Sequence, residues 1–353
     1  MRAYEKNIRK AEPYVPGEQP QNKVIKLNTN ENPYPPAPGV EKALKEMDTD
    51  RFRLYPDPTC GPLVEALADF YHVKPEQVFV GVGSDDVLAM CFLTFFNSEK
   101  PILFPDITYS FYKVWAELYR IPYECQKLDA DFRIVKEDYD KENGGVIFPN
   151  PNAPTGIYEE LDMVEDIIRA NQDVVVIIDE AYIDFAGCSA IELVDKYDNL
   201  IVVQTFSKAR SMAGMRIGYA IGSPALIKYL QDAKYSFNSY TMNQAALVCG
   251  VESVKDQAYF EEGIRKIIHT REWAKEELEK LGFCCLDSDA NFIFVTHPRY
   301  DAKRLFEALK ENGIYVRYWG SGRIKQYLRI TIGTREEMEE LFKFLKKYKG
   351  DCL

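Results

Sequence analysis

Short apolar runs alternate with amphipathic segments from residue 59 onward. Runs rich in Val, Ile and Phe predict buried strands at 77–83, 101–105, 144–151, 173–182, 199–207 and 215–222. Apolar residues at helical spacing predict helices at 59–73, 85–96, 109–119 and 158–171. This alternation predicts an α/β fold in which a mostly parallel, doubly wound sheet has helices on both faces.

The pattern changes after a long, charge-rich amphipathic helix predicted at 257–281. Beyond it, strands are predicted at 282–286, 290–297, 313–319 and 327–333, and helices at 302–312 and 335–348. These elements are typical of a small α+β unit. We therefore predict a large domain over 41–256 and a smaller C-terminal domain over 257–353.

Residues 1–40 are rich in proline and polar side chains. This composition predicts an extended arm with turns rather than a core element. A short strand is predicted at 23–28, and Tyr14 and Tyr34 are candidates for docking on the rest of the chain. We assign the arm to the side of the small domain.

Composition narrows the class of protein. The chain has 353 residues, of which 46% are hydrophobic and 28% charged, as in soluble globular proteins. A net charge of −11 argues against nucleic acid or an anionic membrane as the main partner. No apolar run approaches the roughly 20 residues that span a bilayer, and the N-terminus has no apolar signal segment.

Cysteine and histidine patterns indicate neither disulfides nor metal binding. The eight cysteines form no C-x-x-C pair, which favours a reduced, cytoplasmic chain. The three histidines are scattered along the sequence, and we predict no metal site.

Polar residues follow several of the predicted strands, where α/β sheets bind ligands. The run Gly81-Val82-Gly83-Ser84-Asp85 links a strand to a helix, and its backbone N–H groups could hold a phosphate. It is not a dinucleotide fingerprint, because the third glycine position is an aspartate. A plain helix cap would also explain this run.

Asp179 and Lys208 each follow a strongly apolar strand. A buried carboxylate is costly unless it is paired, so Asp179 is either a structural cap or the partner of a buried cation. A desolvated lysine becomes nucleophilic and can form a Schiff base. Ser207 and Arg216 lie near Lys208 in sequence and supply a hydroxyl and a guanidinium for an anion. Pyridoxal phosphate needs this combination of groups.

The sequence resembles the fold-type I, pyridoxal-phosphate-dependent aminotransferases over nearly its whole length. The matching segments, in order, are LNTNENPYPP (27–36), RLYPDP (53–58), GVGSDD (81–86), DITYSFY (106–112), NPNAPTG (150–156), DEAYIDF (179–185), TFSKARSMAGMRIGY (205–219) and YLRITIGT (327–334). The resemblance implies pyridoxal 5'-phosphate as cofactor and a homodimer with shared active sites.

The same resemblance assigns roles around the cofactor ring. Lys208 is expected to bind the cofactor covalently and then to move protons as general base and acid. Asp179 is expected to keep the pyridine nitrogen protonated. Tyr182 is expected beside the ring hydroxyl and Tyr109 against the ring face. The family asparagine that bonds this hydroxyl is replaced by Ala153, and the neighbouring Asn152 is the candidate substitute.

The resemblance also assigns residues to the two anionic ends of the site. The cofactor phosphate is expected to be held by Ser84, Asp85, Ser207 and Arg216, and by Tyr55 from the other subunit. The anionic end of the substrate is expected at Arg329 and Arg317, with Tyr14 of the N-terminal arm closing over it.

The motifs are most similar to those of family members that transfer the amino group of L-histidinol phosphate to 2-oxoglutarate in histidine biosynthesis. Two alternatives remain open on the same scaffold, namely transamination of aromatic amino acids and decarboxylation of threonine phosphate. A regulator that only binds the cofactor is disfavoured, because such proteins usually carry a DNA-binding domain for which this acidic chain has no room.

Overall fold

The apolar runs between residues 78 and 222 assemble into one seven-stranded sheet in the computed structural model, which describes residues 2–350. Its strands are β2 (Val78–Gly81), β3 (Ile102–Pro105), β4 (Tyr123–Gln126), β5 (Val146–Pro149), β6 (Val176–Asp179), β7 (Leu200–Thr205) and β8 (Gly218–Gly222). The order is β2-β8-β7-β6-β5-β3-β4. β8 runs antiparallel to both of its neighbours and the other pairings are parallel, which confirms the predicted mostly parallel α/β sheet.

Helices cover both faces of this sheet because successive strand residues point to opposite sides. Ile177 and Ile201 enter the core on one face of the sheet, whereas Ile178 and Val202 enter the core on the other face. The helices of this part are α1 (Pro38–Lys45), α2 (Gly61–Tyr71), α3 (Ser84–Phe95), α4 (Phe111–Tyr119), α5 (Leu161–Ala170), α6 (Pro224–Phe237) and α7 (Gln244–Lys255).

The C-terminal part forms a second core around an antiparallel sheet. Its helices are α8 (Gln257–Lys280), α9 (Ala302–Glu311) and α10 (Arg335–Leu345), and its strands are β9 (Cys284–Cys285), β10 (Phe292–Thr296), β11 (Ile314–Tyr315), β12 (Arg317–Tyr318) and β13 (Tyr327–Thr331). The strand order is β12-β13-β10-β9. The single strand predicted at 313–319 is therefore two strands, and β11 pairs elsewhere.

The N-terminal segment differs from the expected surface arm in its second half. β1 (Ile25–Lys26) pairs in parallel with β11, which joins the start of the chain to the C-terminal part. Leu27 is fully buried in the C-terminal core, and Asn28 and Asn30 are buried beside it. The prediction that residues 1–40 lack a core element was therefore wrong for these positions, because the sequence does not reveal this pairing partner.

No helix within residues 2–350 is both long enough and apolar enough to cross a membrane.

Candidate active site

The carboxyl ends of β6 and β7 and the start of α3 enclose a cavity of about 180 Å³. Eight of the predicted site residues line it, namely Ser84, Asp85, Tyr109, Asp179, Tyr182, Ser207, Lys208 and Arg216. The structure therefore brings together side chains that are spread over more than a third of the sequence. Thr29 and Glu31 of the N-terminal segment also line it.

Asp179 ends β6 and is 4% exposed. Its carboxylate accepts a hydrogen bond from the Tyr112 hydroxyl at 2.8 Å and one from the Ala181 backbone N–H at 3.3 Å. Burial raises the pKa of Asp179 to about 6, although both hydrogen bonds act in the opposite direction. A buried carboxylate that is incompletely paired can bind a cationic ring nitrogen.

Lys208 and Arg216 stand at the two ends of the loop that reverses the chain between β7 and β8. Backbone hydrogen bonds from Ser211 to Lys208 and from Met212 to Phe206 close the turns of this loop. Lys208 Nζ lies 5.6 Å from the centre of the Tyr182 ring and donates to the Thr29 carbonyl at 3.3 Å. The amine therefore faces the cavity.

Tyr182 is 8% exposed and stands beside the amine. Its hydroxyl accepts a hydrogen bond from Asn30 Nδ2 at 2.8 Å, and its ring packs edge-on against Phe292. Because both neighbours come from the C-terminal core and from the segment attached to it, the position of Tyr182 depends on how that core packs.

Arg216, Asp85 and Ser207 lie together at one end of the cavity. Arg216 Nη2 pairs with Asp85 Oδ2 at 3.2 Å, and Arg216 Nη1 approaches Ser207 Oγ at 3.5 Å. Gly83, with φ of 83°, precedes the first turn of α3, and a Cβ at this residue would collide with the Arg216 guanidinium. Free backbone N–H groups at a helix start and a guanidinium together suit a phosphate.

Tyr109 forms part of the cavity wall. Its hydroxyl donates to Asp85 Oδ1 at 2.7 Å. Burial, reinforced by the charge of Asp85, holds the pKa of Tyr109 well above its usual value. Tyr14 of the N-terminal segment stacks on Phe111 at 4.3 Å and lies 6.5 Å from the Tyr109 ring. The predicted closing residue is thus next to the wall that it is expected to cover.

Arg317 and Arg329 lie directly opposite each other on β12 and β13. Arg317 donates to the Val15 carbonyl at 3.2 Å, and Arg329 donates to the Asn28 carbonyl at 3.1 Å. Burial lowers the pKa of Arg329, the neighbouring Arg317 acts in the same direction, and Tyr182 opposes both. In the part of the chain that the structure describes, neither arginine has an acidic partner.

Two of the predicted cofactor-binding residues do not line the cavity, and neither do the predicted substrate-end residues Arg317, Arg329 and Tyr14. Asn152 Nδ2 donates to the Ile107 carbonyl and to Thr155, and Ala153 lines the cavity instead. Tyr55 is 80% exposed and stacks on Tyr240 outside the cavity. Their roles stay predictions.

The sequence reasoning assigned no role to three residues that contact the site. Asn30 bonds Tyr182, Tyr112 bonds Asp179, and Glu31 pairs with Lys26 at the cavity wall. Hydrogen bonds from Lys26 and Thr29 lower the pKa of Glu31 even though burial opposes them most strongly. All three residues lie inside segments that resemble the family, and their position in these segments could have identified them as site residues.

A family model for aminotransferase class I and II matches residues 22–345. The chain belongs to this family. The matched residues include both the large sheet and the C-terminal core, so the family assignment applies to both parts of the chain. The fold-type I resemblance predicted from the motifs is confirmed.

Relatives and solved structures agree with this assignment. Histidinol-phosphate aminotransferase from Clostridium botulinum (strain Okra / Type B1) is 50% identical over 349 residues, covering 98% of this chain and 99% of the relative. The histidinol-phosphate aminotransferase from Lactococcus lactis subsp. cremoris (strain MG1363) is 51% identical over 347 residues and 98% of each chain. The crystal structure of histidinol-phosphate aminotransferase from Sinorhizobium meliloti, in complex with pyridoxal-5'-phosphate, superposes with a TM-score of 0.83 at 24% identity, covering 90% of this chain and 89% of that one.

Proposed function

We propose that this protein uses pyridoxal 5'-phosphate to transfer the amino group of L-histidinol phosphate to 2-oxoglutarate, as a step of histidine biosynthesis. The observation that carries the proposal is the meeting of Lys208, the buried Asp179 and the Arg216 loop in one cavity. The relatives at about 50% identity over almost their full length, which are named for the same activity, support the choice of substrate.

The donor set of the cavity fits the proposed cofactor. A lysine amine for the aldehyde, a buried acid for the ring nitrogen and a helix start with a guanidinium for the phosphate lie around one space. Gly218 of β8 lets the start of α3 lie beside this space, because a Cβ at Gly218 would overlap the backbone of Gly83 and Ser84. When bound, pyridoxal phosphate supplies an electron sink that stabilises negative charge on the substrate carbon next to nitrogen.

The residues of this chain would then each perform one task. Lys208 holds the cofactor and moves a proton at its Nζ atom. Asp179 keeps the opposing ring nitrogen protonated through its carboxylate. Tyr109 covers one face of the ring and thereby excludes water. Tyr182, oriented by Asn30, presents its hydroxyl to the ring oxygen.

The remaining cofactor contacts follow from the same arrangement. Arg216, Ser207 and the backbone at Ser84 hold the cofactor phosphate, while the side chain of Asp85 orients Arg216 rather than touching the anion. The free Asn152 Oδ1 is a buried acceptor without a partner among the described residues. We therefore propose Asn152 as the residue that bonds the ring hydroxyl of the cofactor.

The substrate end of the proposal rests on the arginine pair. Arg329 serves the phosphate of histidinol phosphate and the α-carboxylate of glutamate, since a guanidinium fork fits either anion. Arg317 adds a second charge for the phosphate. Tyr14 closes over this end from the N-terminal segment.

We further propose a cytoplasmic homodimer in which Tyr55 reaches the cofactor phosphate of the partner subunit. Strongly exposed aromatic and aliphatic residues surround Tyr55, and they are Phe52, Leu54, Tyr240 and Val248. Such a surface suits burial against a second copy. The cysteines within residues 2–350 are all free thiols, which suits a reducing compartment.

The function is tested by steady-state kinetics on purified protein. L-histidinol phosphate, phenylalanine and threonine phosphate are compared as donors with 2-oxoglutarate as acceptor. We expect kcat/KM to be highest for histidinol phosphate. A preference for phenylalanine would replace this substrate with an aromatic one, and carbon dioxide released from threonine phosphate would indicate a lyase.

A further inference from the structure

The two substrate-end arginines share one aromatic neighbour. The guanidinium carbon of Arg317 lies 5.4 Å from the centre of the Trp319 ring, and that of Arg329 lies 5.2 Å from the same ring. Trp319 itself packs edge-on against Phe294 of β10, which fixes the indole to the core of the C-terminal sheet. Both guanidinium groups therefore lie over the ring of the same side chain.

The shared indole offsets the repulsion between the two positively charged arginines. Like charges directly opposite each other on neighbouring strands repel, and Arg317 and Arg329 stand in that register. Their hydrogen bonds go to neutral carbonyl groups, and the buried Arg329 Nε has no partner within residues 2–350. An acidic neighbour would cancel the repulsion but would also compete with an anionic ligand. The face of an indole attracts cations without occupying their N–H donors.

We propose that Trp319 is a positioning residue that selects doubly charged phosphate monoesters by holding Arg317 and Arg329 toward a single anion. This inference rests on the proposed function, since it concerns the substrate of that site. A phosphate monoester carries a charge of about −1.5 to −2 near neutral pH and offers three oxygens, so it can engage both guanidinium groups at once. An α-carboxylate engages one guanidinium fork and depends less on the alignment of the second.

The main test replaces the indole while keeping the arginines. Trp319→Leu should raise KM for histidinol phosphate about tenfold, because two cation–π contacts are lost. The change in kcat should stay within about twofold, since Trp319 does not touch the reacting atoms. KM for phenylalanine should rise much less, and Trp319→Phe should restore most of the affinity for histidinol phosphate.

Trp273 offers a matched control. It also carries an arginine on its face, with Arg335 at 3.1 Å from the ring centre, and it packs against Phe342 of α10. Because it does not contact the arginine pair, Trp273→Leu should leave both KM values unchanged. A rise in KM for histidinol phosphate in this control equal to that in Trp319→Leu would reduce the effect to general destabilisation and overturn the proposal.

A binding measurement on the cofactor-loaded protein gives a readout besides activity. In a background with Trp115→Phe and Trp273→Phe, Trp319 is the one tryptophan of the sequence. Titration with inorganic phosphate should then change the fluorescence of Trp319, because the anion neutralises the two guanidinium groups on the indole face. A fluorescence that does not respond to phosphate would contradict the role of Trp319, and this measurement decides the question even if Trp319→Leu does not fold.

The outcomes separate this inference from the proposed function. If the unmodified protein does not use histidinol phosphate, the proposed function fails, and the role assigned to Trp319 in choosing that substrate fails with it. If it uses histidinol phosphate and Trp319→Leu changes KM by less than about twofold, only the role of Trp319 fails.

Discussion

Asp179 places an ionisable carboxyl at the buried end of a central strand, where burial raises its pKa from 3.8 to about 6. Because the folded state binds the proton more tightly than the unfolded state, the folded protein loses stability as pH rises between these two values. The shift corresponds to about 3 kcal/mol as an upper estimate. In the complex that we propose, a cationic ring nitrogen beside Asp179 would recover this free energy, so the residue would destabilise the cofactor-free fold and stabilise the complex.

Asp179→Asn should stabilise the cofactor-free protein while it abolishes most of the activity. The cofactor-free variant should be more stable than the unmodified protein at about pH 7.5, by up to about 3 kcal/mol, and the difference should vanish near pH 4. Transamination should fall by several orders of magnitude, since a ring nitrogen without its acid is a poor electron acceptor. Urea unfolding at both pH values, together with initial rates, measures these effects. Equal stability at the higher pH with near-normal turnover would make Asp179 a structural cap.

Among single residues, the sequence predicts the positions of the charged site residues well and the contacts of the asparagine side chains poorly. Asp179 and Lys208 follow buried strands directly, so their meeting at one sheet edge follows from the topology. Asn30 lies 152 residues from Tyr182, and hydrogen bonds with Thr331 of β13 hold Asn30 at this position. The direction of the Asn152 amide is likewise set by Ile107 and Thr155, which no local pattern reveals.

At the scale of elements, the antiparallel strand β8 packs closely against the start of α3, where we propose that the cofactor phosphate binds. Gly218 pairs with Gly81 on one side and with Thr205 on the other. A side chain at Gly218 would overlap the backbone of Gly83 and Ser84. The close approach of β8 to the first turn of α3 therefore depends on a missing Cβ.

Gly218→Ala should displace the start of α3 and destabilise the protein by about 1–3 kcal/mol. Cofactor affinity should fall as well, because the backbone N–H groups move away from the phosphate. Gly263→Ala is the matched control, because it lies within α8 with nothing near its Cβ position, and it should stabilise the helix by about 0.5–1 kcal/mol. Thermal unfolding and cofactor titration measure both variants. Unchanged cofactor affinity in Gly218→Ala would contradict the phosphate assignment.

The sequence predicts most of the long elements and misses weakly patterned ones. β5, β6 and β7 are easily predicted because they are apolar almost throughout, and the neighbouring helix α5 because it is amphipathic. β4 was missed because this edge strand is mostly exposed and polar. α7 was missed because Gly250 interrupts its helical pattern, and the structure explains that glycine by its contact with Leu63 and Ile217.

At the scale of the whole molecule, a groove of about 760 Å³ lies between α1, α7 and residues 48–57. Tyr55 lines this groove and does not line the cavity of its own chain. The active site proposed here is complete only when a second copy supplies this tyrosine. The division of the chain at 40 and 256 stays a prediction, although α7 and α8 meet at Asp256.

Shared active sites predict complementation between two defective chains. A mixture of Lys208→Ala and Tyr55→Ala chains, unfolded and refolded together, should form mixed dimers in which one site has both residues. About a quarter of the unmodified activity should return if chains pair at random. Sedimentation should report a dimer in each sample. An active monomer, or no recovery in the refolded mixture, would refute the sharing.

The most direct test of the whole account is to identify the lysine that carries the cofactor. Borohydride treatment of the protein loaded with pyridoxal phosphate makes the lysine–cofactor linkage permanent, and peptide mapping then locates the label. We expect one labelled peptide containing Lys208, and no label in Lys208→Ala. A label on any other lysine, or an unlabelled protein that still transaminates, would contradict it.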